Sequence, residues 1–127
     1  MSTNENLELR KDARFELFEY AMVYPEGSYE PKRSVIVDIS IGGAQVRSRH
    51  TFEPGTNCLL DIAQPDADEP FQIHAEIRYC NKIGDSDLYA VGFRFAPANT
   101  RERELIVNYV HAFFRLQGEA LLSEERA

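Results

Sequence analysis

Phe71 to Tyr79 reads FQIHAEIRY, and its alternation decides the fold class: Phe71, Ile73, Ala75, Ile77 and Tyr79 fall on one face of an extended chain, Gln72, His74, Glu76 and Arg78 on the other. A segment of this kind is a strand with one buried and one wet side. Toward the C-terminus, Ile83 to Asp87 (IGDSD) is a turn, and Leu88 to Phe95 (LYAVGFRF) returns as a strand with Val91, Phe93 and Phe95 facing one way. Gly92 within it marks a bend or bulge. Toward the N-terminus, the acidic, Pro-flanked stretch Gln64 to Pro70 is an exposed loop, preceded by the apolar run Cys58 to Ile62 (CLLDI). Before that, Ser34 to Ile39 (SVIVDI) and Ala44 to Arg49 (AQVRSR) are two short strands joined by a tight turn at Gly42-Gly43. Phe15 to Tyr24 (FELFEYAMVY) is a further strand, stopped by Pro25-Glu26-Gly27-Ser28.

From Asn99 the period changes. Ile106, Val110 and Phe113 are spaced by four and three, with Leu105, Tyr109 and Leu116 widening the stripe, which predicts an amphipathic helix. Asn99 and Glu102 have the spacing of an N-cap and its reciprocal partner, with Thr100 as the other candidate cap. Six strands followed by one helix predict a six-stranded antiparallel β-barrel with a C-terminal α-helix, because closure removes exposed strand edges. A flat two-layer α+β sheet is the alternative. The expected boundaries are a flexible leader over residues 1–14, the barrel and helix over 15–116, and a helical extension or tail over 117–127.

The composition bounds the function. A chain of 127 residues with 43% hydrophobic and 28% charged residues is an ordinary single-core domain. Its net charge of −7 argues against a nucleic-acid backbone or an anionic membrane as the main partner. No apolar stretch approaches the roughly 20 residues of a membrane span, and Met1 to Glu8 lacks the pattern of a secretory signal, so the expected address is the cytoplasm. Cys58 and Cys80 form no CxxC pair and are expected reduced, semi-buried within strands. No nucleophile elbow, P-loop, HExxH or dinucleotide fingerprint is present, and His50, His74 and His111 share no spacing that implies a triad or metal centre. An enzyme is therefore not expected.

The specific residues lie early in the chain. Arg10 and Arg14, four apart in the leader, each offer a planar donor fork suited to phosphate oxygens or to the O6 and N7 acceptors of guanine. Asp38 and Ser40, two apart, project from the same face of an extended strand and set an acceptor beside a hydroxyl. Gly43, with Gly42, permits a tight turn or a positive φ and lets a ligand approach the backbone. Together these groups are complementary to a guanine nucleotide carrying phosphates. Each also has a plainer role: a solvated leader, an aspartate serving its own turn, a hairpin glycine pair.

RxxxR in a leader followed by [D/N]xSxxG in the early strands resembles the signature of the PilZ domains, and the likeness extends over roughly residues 8 to 116. The resemblance implies a split-barrel fold and binding of cyclic di-GMP, with Arg10 and Arg14 on phosphates and guanine, Asp38 and Ser40 on guanine, and Gly43 shaping the turn. Leu9 stands where many members carry a further arginine, which implies one ligand per chain rather than a stacked pair. Tyr79 is either a core or rim tyrosine or a surface on which a base stacks.

The expected function is thus a cyclic di-GMP receptor or adaptor whose leader orders over the ligand and signals to an unidentified downstream protein, with no DNA, RNA, membrane insertion, metal or cofactor. The alternative is a module of the same fold that engages a protein partner without nucleotide. Phe113, Phe114 and Leu116 are candidates for the output surface, burial against the barrel being the competing placement. Turnover of the nucleotide is the remotest reading, since no carboxylates and histidines are spaced to hold a metal or base.

Overall fold

The β-branched and alternating runs fold as strands, and in the computed structural model, whose described residues are 15–28, 30–63 and 71–126, they close on themselves. In chain order they are β1 (Phe15–Pro25), β2 (Lys32–Ile39), β3 (Gly43–Ser48), β4 (Asn57–Ile62), β5 (Phe71–Lys82) and β6 (Tyr89–Phe95), followed by helix α1 (Thr100–Arg126). The order around the barrel is β1-β2-β3-β6-β5-β4, every neighbouring pair is antiparallel, and the β1–β4 pairing closes the ring. The flat-sheet alternative is thereby excluded. Arg10 and Arg14 lie outside the described residues, as do the side chains of Phe113, Phe114 and Leu116.

Alternation fills the interior. Val23, Ile36, Val46, Ile73 and Val91 are at 0% exposure, and Leu60 from β4 is at 1%, so all six strands contribute an aliphatic side chain that water does not reach. Each such burial is worth about 1.5–3 kcal/mol of transfer free energy. Cys58 is fully buried rather than semi-buried, and Cys80 is half-buried.

Strict alternation fails at three places, where the pairing register slips: between Glu16 and Glu19 in β1, Ile36 and Asp38 in β2, and Ile77 and Tyr79 in β5. A bulge puts two residues opposite one and turns the following side chain to the other face. Tyr79 therefore does not join Phe71, Ile73, Ala75 and Ile77 in the core. It emerges 36% exposed. In β2 the slip reverses the parity after Ile36, so that Ile39 is buried and Asp38 is only half-buried. Strand β2 ends at Ile39, and Ser40 is 2% exposed, so Asp38 and Ser40 do not share an exposed strand face as their spacing predicted.

The β2–β3 hairpin is tight. Ser40 donates its N–H to the Gly43 carbonyl at 2.8 Å, and its hydroxyl reaches the same oxygen at 3.4 Å. Gly43 has no left-handed φ; its requirement is steric, because a Cβ there would stand 2.1 Å from the backbone oxygen of Phe93 on β6. Of the tight turn or positive φ that Gly43 was expected to permit, the structure shows the tight turn, together with a close approach of two strands.

Asn99 is the helix cap: its Oδ1 accepts the Glu102 N–H at 2.9 Å. The reciprocal arm is displaced by one residue, since the Glu102 carboxylate accepts from the Ala98 N–H at 3.2 Å and not from Asn99. The same carboxylate accepts the His74 N–H at 3.0 Å and the His74 Nδ1–H at 2.8 Å. An ionised carboxylate only accepts, so the ring proton lies on Nδ1. One acidic side chain thus ties the first turn of α1 to β5. Beyond it, Ile106, Tyr109 and Val110 complete the core, with the Tyr109 ring edge-on to Phe71 at 4.9 Å. The backbone stays helical through Arg126, which makes the segment after Leu116 an extension of the helix.

Burial works to raise the pKa of Glu102, but the His74 N–H, the Ala98 N–H and the His74 ring together outweigh it and hold it below the usual carboxylate value. The unfolded chain therefore binds the proton first, and the stabilisation is complete above about pH 4.3 and lost as the pH falls below it. Glu102→Ala should lower stability by about 1–3 kcal/mol in urea unfolding at pH 7. Glu102→Gln should flatten the loss of Tm on acidification from pH 5 to pH 3 relative to the parent chain. Gly43→Ala, which drives a methyl into a backbone oxygen, should cost about 1–3 kcal/mol, measured by the same denaturation.

Candidate functional site

The two bulges that break alternation in β2 and β5 build one surface. Reading across neighbouring strands, Asp38 on β2 is paired with Gln45 on β3, Gln45 with Gly92 on β6, and Gly92 with Tyr79 on β5. These four residues form a row across the outside of the barrel, an arrangement no contiguous stretch of sequence displays. Gly92 is the low point of the row. A Cβ on it would lie 2.1–2.7 Å from three atoms of the Tyr79 ring, so the ring covers the glycine backbone and no other residue type leaves it that place.

The polar groups of the row are joined. Gln45 donates through Nε2 to the Tyr79 phenol oxygen at 2.6 Å, and Arg47, two residues along β3, donates through Nη1 to Gln45 Oε1. Asp38 is engaged as well. Just beside this row, Gly43 pairs with Arg94 and Arg94 with Glu76. Arg94 donates to Glu76 Oε1 at 3.1 Å and Arg78 to the same oxygen at 3.4 Å; these bonds, the Arg94 one foremost, hold the Glu76 carboxyl below its ordinary value. The surface therefore offers an acceptor in Asp38, a flat aromatic face in Tyr79, and guanidinium groups at Arg47 and Arg94. That combination suits a planar ligand with hydrogen-bond donors on its edge and negative charge nearby.

The residues singled out from sequence are distributed as follows. Asp38 lies in the row; Ser40 and Gly43 lie in the adjoining hairpin, bonded to each other, with the Ser40 hydroxyl turned inward on its own turn. Arg10 and Arg14 are outside the described residues, but β1 begins at Phe15, paired with Ile39, and Glu16 is paired with Asp38. Gln45 and Arg47 were not singled out, although the alternation of AQVRSR already set both opposite the buried Ala44 and Val46.

Among the described residues no three His, Cys, Asp or Glu side chains group to hold a metal ion, and the His74 ring is bound to Glu102. A cleft of about 460 Å³ beside β4 is lined by His74, Asn57 and Cys58 among others, but burial pushes the Cys58 thiol up to about 12, far from a thiolate nucleophile. Among the described residues, no helix is long and apolar enough to cross a membrane.

Many solved structures resemble this barrel, among them three with similar superpositions. YcgR from Escherichia coli, in complex with c-di-GMP, superposes with a TM-score of 0.69 at 15% identity, over 93% of this chain and 50% of that one. MrkH from K. pneumonia, in its c-di-GMP complex, gives 0.67 at 16%, over 87% and 54%. The inhibitor of motility from Bacillus subtilis (MotI/DgrA) gives 0.64 at 21%, over 84% and 50%. The chain spans about half the length of each. At these identities the likeness is one of fold. No curated protein matches the chain at a significant level. Residues 8–112 match the PilZ domain, and with the barrel order and hairpin described above this establishes that the chain belongs to the PilZ domain family.

Proposed function

We propose that this protein binds cyclic di-GMP on the outer row Asp38–Gln45–Gly92–Tyr79, with the arginines of its leader closing over the ligand. The observation that supports the reading is the register of β1: Phe15, the residue that follows Arg14 in sequence, is paired with Ile39, and Glu16 with Asp38, so β1 begins beside Asp38 and the Ser40–Gly43 hairpin. PilZ domains generally bind this nucleotide, which supports the same ligand.

In this reading Asp38 accepts from the N1 and N2 donors of guanine, Tyr79 supplies the face on which a base stacks, and Arg10 and Arg14 take phosphate oxygens and the guanine O6 and N7 edge. Ser40 and Gly43 set the shape of the hairpin that presents Asp38. Leu9 leaves the motif one arginine short of the longer form, in keeping with one ligand per chain. The protein acts as a binding module and not as an enzyme, in the cytoplasm, and passes the ordered leader to a protein partner as a new surface.

Calorimetric titration tests this. The parent chain should bind cyclic di-GMP saturably at about one per chain and leave cyclic di-AMP unbound. Arg14→Ala should weaken binding by about 1–3 kcal/mol, roughly five- to over a hundredfold in Kd, since one bidentate fork is lost. Asp38→Ala should weaken it comparably while the chain stays folded. Equal affinity in the folded Arg14→Ala variant would sink the assignment and leave the nucleotide-independent interaction module in its place.

A further inference from the structure

We infer that Gln45 is a positioning residue: held by Arg47, it fixes the Tyr79 hydroxyl so that the ring is locked over Gly92 as a preformed stacking platform. The inference rests on the nucleotide-binding reading above and adds to it a residue outside both signature motifs.

The chemistry leaves one orientation for the amide. Arginine has five donors and no acceptor, so the Gln45 atom facing Arg47 is the carbonyl Oε1, and Nε2 is thereby turned to Tyr79. The Tyr79 oxygen accepts from Nε2, which leaves its own proton available for a ligand. Three constraints then meet on one ring. The glycine backbone supports it from beneath, the β5 bulge turns it out of the barrel, and the Gln45 amide holds its far end. A half-exposed tyrosine on a strand would otherwise sample several rotamers, and ordering it would be part of the cost of binding. Neither Gln45 nor Arg47 needs to touch the base to exert this effect.

A double-mutant cycle separates positioning from contact. Leucine is close to glutamine in size, and position 45 is outside the core, so Gln45→Leu should fold with a nearly unchanged Tm. It should weaken cyclic di-GMP binding roughly three- to tenfold, the range expected for one hydrogen bond. In the Tyr79→Phe background, which keeps the ring but removes the anchored oxygen, Gln45→Leu should have no further effect. Multiplying losses in the double variant would overturn the proposal, because Gln45 would then act by a route other than the hydroxyl, and so would an unchanged affinity in Gln45→Leu. A second readout needs no nucleotide. In ligand-free protein with ¹³C-labelled tyrosine rings, the Tyr79 signal, assigned by its disappearance in Tyr79→Phe, should move in Gln45→Leu; a stationary signal would overturn the proposal. If the parent chain does not bind cyclic di-GMP while this signal moves, the ligand reading has failed and the positioning by Gln45 stands.

Discussion

Every strand of a closed barrel has to deliver alternate side chains to a single interior, and here that constraint governs both the core and the site. Ile36, Val46, Ile73 and Val91 obey it and are sealed from water. With no free edge to absorb irregularity, an extra residue in one strand can only be taken up as a bulge, which reverses the parity of the residues beyond it. The slips after Ile36 and after Ile77 do this on strands that are not neighbours, yet they send Asp38 and Tyr79 to the same outer row. A defect in the alternation is thus the means by which the surface is built.

The glycines of the site belong to the same logic of close approach. Gly43 lets β3 sit against the Phe93 carbonyl, and Gly92 lets an aromatic ring lie where a side chain would stand. Neither serves through an unusual φ. Polar economy shows a similar pattern at the helix, where the Glu102 carboxylate satisfies Ala98 and His74 N–H groups and a ring nitrogen at once, so that helix capping and the docking of α1 on β5 are a single interaction.

For function, the consequence is a hydrogen-bonded surface on the barrel wall that lies beside the start of β1. The platform has its donors and acceptors already paired, Arg47 with Gln45, Gln45 with Tyr79, and Arg94 with Glu76, before any ligand arrives. Preorganised groups of this kind do not have to be ordered at the moment of binding. Arg10 and Arg14, which precede β1 in sequence, are the complementary part of the proposed site.

Much of this could be read in the chain itself. Alternation in FQIHAEIRY and AQVRSR, the Gly and Pro punctuation, and the change of period after Asn99 determined six strands, one helix and most of the core, because periodicity is a local consequence of which face meets water. The motif residues Arg10, Arg14, Asp38, Ser40 and Gly43 could be singled out as candidates because each motif is a short local pattern. What the tertiary structure decided is where those patterns break. Tyr79 reads as a core residue until a bulge turns it outward, and Ser40 reads as an exposed partner of Asp38 until the hairpin buries it. Gly43 answers to β6 and Gln45 to Tyr79, partners about 50 and 34 residues away in the chain. Bulges and cross-strand contacts depend on the registers of non-adjacent segments, and a register exists only once the barrel has closed.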